Sequence, residues 1–335
     1  MNQRPGVCPS YHCSTPQYIF SHFAGAKIYF VSLLTKFILK LFFMKHKAGF
    51  VNIIGNPNVG KSTIMNALVG EKLSIITSKA QTTRHRIMGI VNGEDFQIVY
   101  SDTPGIIDPK YKLQESMMKF VDSAFVDADE ILFVTEINED FKNEEIIKKL
   151  VDSKIPVILL INKIDLSDQK KVVEKMEYWK SKLKNAEIIP VSALKKFNLE
   201  KVLEKIVENL PEAEAYFPKD ELTDKTIRFF VSEIIREKIL VNYQKEIPYS
   251  VEIKIEEYKE TENLIKIKST IYVSRESQKA IIIGHKGNSI KKVGTEARLD
   301  IEEFVDKKVY LELSVKVLKD WRNKEIQLKR FGYIN

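Results

Sequence analysis

Apolar and polar positions fall into two regimes along the chain. Between about residues 46 and 215, short apolar runs alternate with longer amphipathic stretches. The runs Phe50–Ile54, Phe96–Tyr100, Ile131–Thr135, Val157–Ile161 and Glu187–Val191 predict strands. Stretches opening near Lys61, Gln114, Asn143, Gln169 and Leu199 predict helices. Strand–helix alternation of this kind implies a mainly parallel sheet covered on both faces. Ligands of such sheets bind beyond the carboxyl ends of the strands. Residues 211–220 carry Pro211 and Pro218 among charges and read as a linker. The pattern then predicts a helix over Thr226–Leu240 and two alternating strands, Tyr249–Glu257 and Leu264–Val273, joined by a polar turn at Tyr258–Asn263. Helices Arg275–Ile283 and Asn288–Glu303, a strand Val309–Val317 and a terminal helix from about Lys319 complete it.

The first 43 residues read differently. They hold no acid, and the apolar run Ile28–Phe43 is broken by Lys36 and Lys40. That run is shorter than the roughly 20 residues a spanning helix needs. Three expectations stand side by side: a start assigned upstream of the true one at Met44, an amphipathic helix lying on a membrane surface, or an organelle transit peptide.

Composition narrows the class. With 44% hydrophobic and 30% charged residues, the 335-residue chain is neither mostly disordered nor polytopic. Its two cysteines, Cys8 and Cys13, cannot staple a fold, and their absence from residue 14 onward suits a reducing cytosol. The net charge of +7 sits at the ends: +4 over residues 1–43, −1 over 44–217 and +4 over 218–335. Arg275, Lys279, Lys286, Lys291, Lys292 and Arg298 face only Glu276 and Glu296 nearby, an excess that suits a polyanion partner as well as an ordinary solvated surface.

The chemistry lies at the strand ends. Gly55-Asn56-Pro57-Asn58-Val59-Gly60-Lys61-Ser62 follows the first strand and matches the G-x-x-x-x-G-K-[ST] phosphate loop, with Thr63 next in the helix. Its main-chain N–H groups would cradle phosphates, Lys61 would reach the β- and γ-phosphates, and Ser62 would ligate Mg²⁺. The strand ending at Asp102 leads into Thr103-Pro104-Gly105. Asp102 would hold Mg²⁺ through its water shell, and the Gly105 N–H would meet the γ-phosphate. The fourth strand ends in Asn162-Lys163-Ile164-Asp165. The Asp165 carboxylate accepts two hydrogen bonds from guanine, whereas adenine offers no matching donors; such a mismatch discriminates by about 10⁴–10⁵. Ser192-Ala193-Leu194 would present N–H groups to the guanine O6. The nucleotide expected is therefore GTP or GDP.

Four such motifs in this order resemble the translation-factor-like GTPases with a Ras-type fold. That resemblance makes Gln81-Thr82-Thr83-Arg84 the first switch, with Thr83 the leading candidate for the Mg²⁺ and γ-phosphate contact and Thr82 the second. Ras-like enzymes place a water-orienting glutamine directly after the D-x-x-G glycine. Here Ile106 stands there, so intrinsic hydrolysis is expected to be slow. In relatives with G-x-P-N-x-G-K-S the asparagine helps hold potassium; Asn58 either does the same or only caps its loop.

Gly284-His285-Lys286-Gly287 joins two predicted helices inside the basic cluster. The order helix-strand-strand-helix-GxxG-helix-strand is similar to a type II KH domain, whose loop clamps about four single-stranded nucleotides. Gly284, His285, Lys286, Gly287, Lys291 and Lys292 are the candidate RNA contacts, with Ile281, Ile282, Ile283 and Ile290 as floor and core and Tyr272 as a core residue. The expected fold is thus α/β: a P-loop GTPase domain over 46–215, then an α/β type II KH domain over 220–333. Together with Lys79-Ala80-Gln81-Thr82-Thr83-Arg84-His85-Arg86, this pairing resembles the Era family of GTPases. The resemblance implies a monomeric switch that binds 16S rRNA and assists assembly of the small (30S) ribosomal subunit, cytoplasmic with some peripheral membrane contact on the inner face. Two other readings are a membrane-tethered signalling or scaffold GTPase with a protein partner, and a tRNA-modifying GTPase. The latter expects a cysteine or cofactor module that residues 44–335 lack.

Overall fold

The computed structural model describes residues 46–334 apart from Ala80; the expectations for residues 1–43 lie outside the described residues. Six strands build the first sheet: β1 (Lys47–Gly55), β2 (Ile87–Asn92), β3 (Phe96–Asp102), β4 (Glu130–Glu136), β5 (Val157–Asn162) and β6 (Glu187–Pro190). Their order is β2-β3-β1-β4-β5-β6, all parallel except β2, which runs antiparallel to β3. Helices α1 (Lys61–Val69), α2 (Lys112–Ser123), α3 (Glu144–Asp152), α4 (Gln169–Lys182) and α5 (Leu199–Asn209) cover it.

The strands bury both faces, as a doubly covered parallel sheet requires. Val51, Ile53, Leu132, Val134 and Leu160 pack on one side with α1 and α5. Ile54, Ile131, Phe133, Leu159 and Ile161 pack on the other with α3 and α4. Phe133, Phe141 and Trp179 meet there edge-on or tilted. Asn143 and Asp168 cap α3 and α4 by accepting the N–H groups of Ile146 and Lys171 at 3.1 and 2.9 Å. The proline-bearing segment after α5 is pinned to the sheet: Ala48 N–H donates to Pro211, and the Gln97 side chain bonds Tyr216 and Phe217.

The second sheet has the order β7-β8-β9, with β7 (Glu252–Glu260) antiparallel and β9 (Val309–Val317) parallel to β8 (Ile265–Val273). Helix α6 (Ile227–Asn242), a helical turn α7 (Ile247–Ser250), α8 (Glu276–Ile283), α9 (Asn288–Val305) and α10 (Glu325–Arg330) complete this part. Its core joins Ile235 and Ile239 of α6 to Ile267 and Ile271 of β8 and to Ile282, Val293 and Ile301 of the paired helices.

Three local readings differ from the observed elements. Strand β2 was not expected. Its centre is Gly89, where an added Cβ would come within 2.8 Å of Val69 and 3.0 Å of Leu73. Strand β7 starts three residues later than expected, because Pro248 opens the turn α7. The terminal helix breaks into a 3₁₀ turn at Trp321–Asn323 before α10.

Candidate functional site

The phosphate loop leaves β1 and enters α1 around a cleft of about 510 Å³ lined by Asn58, Lys61, Ser62, Thr63, Thr83 and Gly105, among others. Lys61 is 6% exposed, and its ammonium donates to the carbonyls of Gly55 and Asn56 at 3.0 and 2.8 Å. Burial lowers its pKa to about 8, against the attraction of Asp102 and Glu139. The side chain of Asn56 donates to Glu139 at 2.5 Å, and Glu139 also accepts from Thr135 at 2.7 Å. Glu139 had no motif to announce it.

Three oxygen-bearing side chains converge below the cleft. Ser62 Oγ donates to Asp102 Oδ2 at 2.6 Å and lies 3.0 Å from Thr83 Oγ1. Thr83 also reaches Asp102, at 3.4 Å. The neighbouring Thr82 turns away, its hydroxyl donating to the Lys79 carbonyl at 2.6 Å. Asp102 is fully buried, and its Oδ1 has no hydrogen-bond partner. Burial raises its pKa, opposed by Lys61 and the nearby hydroxyls. A buried, unpartnered carboxylate oxygen flanked by two hydroxyls is a donor set that fits a hard divalent cation.

The segment after β3 is held tightly. Thr103 donates to the Ile53 carbonyl at 2.7 Å, and Ile106 N–H to Gly55 at 3.1 Å. Pro104 is buried. A Cβ on Gly105 would lie 2.7 Å from Pro57 backbone, so only glycine lets the two loops approach. Ile106 is 7% exposed and packs in the core.

The ends of β5 and β6 form one cradle. Asn162 donates to the Val59 carbonyl at 2.8 Å and accepts from Ala193 N–H at 3.0 Å, tying the phosphate loop to the loop after β6. Lys163 adopts a left-handed conformation with φ 61°. Its ammonium bonds the Asn58 carbonyl at 2.7 Å and pairs with Glu136. Ile164 N–H points to the Val191 carbonyl. Asp165 is exposed, and one of its oxygens accepts from Ser192 Oγ at 2.5 Å. Leu194 is 76% exposed at the rim. Asn58 is also exposed and donates to the Ser78 carbonyl at 3.0 Å.

The second candidate surface lies between α8 and α9. Gly284 and Gly287 have φ of 72° and 77°, and Lys286 has φ 50°. A Cβ on Gly284 would sit 2.1 Å from Ser289 Oγ, whereas one on Gly287 would meet nothing within 4 Å. His285 and Lys286 are exposed beside that open space. A groove of about 280 Å³ continues from the loop, lined by Ile290, Lys291, Gly294, Thr295, Arg298, Leu311 and Leu313. Thr295, Leu311 and Leu313 were not expected there; they meet Lys291 only because α9 packs on β9. Lys292 does not line the groove, and its ammonium lies 3.8 Å from Glu296. Ile282 is fully buried and Ile290 packs on the same core, but Ile281 is 49% exposed and forms no floor. Tyr272 is 6% exposed, as expected of a core residue.

Comparison with known proteins bears on both parts of the chain. Residues 50–163 match the family described as 50S ribosome-binding GTPase, and residues 246–322 match the KH domain. One similar solved structure is Era in complex with MgGDPNP and nucleotides 1506–1542 of 16S ribosomal RNA. It is 41% identical with a TM-score of 0.83, covering 87% of this chain and 100% of that one. Another is a variant of Aquifex aeolicus Era bound to GDP·AlF4⁻, also 41% identical with a TM-score of 0.83, covering 86% of this chain and 100% of its own. The likeness spans both sheets and the whole of each solved relative, so the chain belongs to the Era family of GTPases.

Proposed function

We propose that the chain is a GTP-hydrolysing switch that binds the 3′ region of 16S rRNA through its GHKG groove and assists assembly of the 30S subunit. The observation that carries this reading is the pairing, within one compact unit, of a guanine-nucleotide cradle with an open glycine loop and groove. The end-to-end likeness to an Era that holds MgGDPNP and a 16S fragment supports it. The same likeness does not favour the membrane-tethered scaffold reading.

In the nucleotide site, main-chain N–H groups of Gly55–Ser62 surround the phosphates while Lys61 neutralises charge on the β- and γ-phosphoryl oxygens. Ser62, Thr83 and Asp102 would hold Mg²⁺, which when bound supplies charge between those oxygens. Gly105 offers its N–H to the γ-phosphate, and its loss on hydrolysis releases the following segment. Asp165 selects guanine, with Lys163 along the base and the 192–194 loop facing O6. The Ser192 and Ala193 N–H groups bond Phe197 and Asn162, so the Leu194 N–H is the donor for that oxygen. The buried Ile106 side chain cannot orient a water, so the intrinsic rate is slow. Asn58 would help hold K⁺, which supplies charge at the transferring phosphoryl group. Turnover faster in KCl than in NaCl supports that role, and equal turnover removes potassium from it.

RNA lies with its sugar-phosphate backbone over Gly284–Gly287, where Lys286 and Lys291 supply charge, and its bases in the groove. GTP would favour the RNA-bound state and hydrolysis its release. The protein acts as a monomer in the cytoplasm, with peripheral membrane contact on the inner face as a secondary association. Among the described residues no helix is long and apolar enough to cross a membrane. The test is crosslinking in cells followed by sequencing of the bound RNA. Reads concentrated at the 3′ end of 16S rRNA are expected; reads from other RNAs alone contradict the assignment.

A further inference from the structure

Helix α6 touches the first switch on one side and both helices of the RNA loop on the other. On the switch side, Arg236 is 1% exposed and donates through Nη2 to the Thr82 carbonyl at 2.6 Å. Glu233, one turn earlier, holds that guanidinium: Arg236 Nε donates to it at 2.8 Å. Lys79 donates to the carbonyl of Tyr243, the residue that ends the helix. Lys79 and Thr82 lie in the segment that leads directly into Thr83 and must move it to or from the metal site.

On the far side, the Tyr243 hydroxyl donates to the Ile282 carbonyl at 2.7 Å. Ile282 lies in the last turn of α8, two residues before Gly284. Carbonyls of a last helical turn have no partner within the helix. Tyr243, only 8% exposed, satisfies one of them from a neighbouring element. Burial pushes its hydroxyl up to about 12, so it stays a donor at neutral pH. Asn242 donates to Glu296 of α9 at 2.6 Å, and Lys238 pairs with Asp300 of the same helix. The C-terminal half of α6 therefore carries bonds to Lys79 and Thr82 and to both helices that flank GHKG.

We propose that α6 transmits the nucleotide state to the GHKG loop, with Tyr243 as the positioning residue that takes Lys79 on its carbonyl and fixes Ile282 with its hydroxyl. The inference rests on reading Gln81–Arg84 as the nucleotide-sensing switch. A shift of residues 79–83 moves the C-terminal end of α6, and the hydroxyl carries that shift to the base of the RNA loop. A packed element that both sites contact is one physical route for such coupling.

The experiment is amide hydrogen exchange on the full chain, loaded with GDP or with the non-hydrolysable analogue GDPNP, without RNA. In the unaltered protein, peptides covering 282–289 exchange at rates differing by about five-fold or more between the two nucleotides. Tyr243→Phe keeps the ring and removes the hydroxyl; in it the difference collapses while the affinities for GDP and GDPNP stay as they were. A ring that served packing alone would leave the nucleotide dependence intact. No difference at 282–289 in the unaltered protein, or a difference retained in Tyr243→Phe, overturns the proposal. Loss of nucleotide binding in the unaltered protein, read on the same samples, would instead overturn the switch reading beneath it.

Discussion

The guanidinium of Arg84 lies 3.4 Å from the carboxylate of Glu252, although 168 residues separate them in sequence. Arg84 is 1% and Glu252 7% exposed. Arg84 also donates to the carbonyls of Val251 and Pro248 at 2.7 and 3.1 Å. Tyr333, near the carboxyl end, donates to the same Glu252 oxygen at 2.7 Å. A residue of the proposed first switch is thus anchored at the start of β7. Removing one member of a buried charged pair leaves the other uncompensated, at about 3–5 kcal/mol. Arg84→Met should lower stability by about that amount in urea titration; a loss below about 1 kcal/mol would show that the pair contributes little.

The base pocket gives a change of preference rather than a loss. Asn in place of Asp165 keeps the shape but offers an amide donor where guanine needs a second acceptor. Asp165→Asn should bind GDP about 10²-fold or more weakly and gain affinity for xanthosine diphosphate, measured by calorimetry. Unchanged GDP binding would remove Asp165 from the pocket.

The two loop glycines should behave differently. At Gly287 a Cβ meets nothing within 4 Å, and the left-handed backbone is one that aspartate adopts at modest cost. At Gly284 it would strike Ser289. Gly287→Asp should fold normally and lose RNA affinity by charge repulsion, by about ten-fold or more at low salt. Gly284→Asp should lower the melting temperature as well. Both are read by thermal melts beside RNA titrations, and equal melting temperatures for the two would contradict the packing difference.

Much of the fold and of the candidate nucleotide site is legible in the sequence. The nucleotide residues are contiguous because a phosphate or a purine edge is met by one loop at a time, and strand–helix alternation placed each loop at a strand end. What was illegible depends on segments far apart in sequence. The groove wall needs Thr295 from α9 and Leu311 from β9, which share no motif. Strand β2 hid behind Gly89, which has no side chain to mark the alternation. Nothing in the sequence around Arg84, Arg236 or Glu252 marks them for burial; segments distant in the chain enclose them. Trp321 and Leu328 joined Leu113 and Met117 of α2 in a core that no periodicity links.

His85 sits at that junction, stacked on Tyr333 with centroids 4.2 Å apart and 15° between planes. Burial lowers its pKa to about 3, helped by Arg236, Lys225 and Arg84 and opposed by Glu233. The folded state therefore holds His85 neutral, while the unfolded chain protonates it near its ordinary value. Stability from this group is full above about pH 6.5 and falls as pH drops toward the folded value, by at most about 1.4 kcal/mol per unit. Because the ring is only half-buried, the measured slope should be shallower than that limit. His85→Phe should flatten the loss of stability between pH 6.5 and 4 in urea titrations; an unchanged slope would place the acid sensitivity elsewhere.

The most direct test of the switch itself is the affinity of the full chain for an RNA of the 16S 3′ region, titrated at one fixed salt concentration with saturating Mg²⁺. The account predicts tighter binding with GDPNP than with GDP, by about five-fold or more. Equal affinities in the two nucleotide states would contradict it.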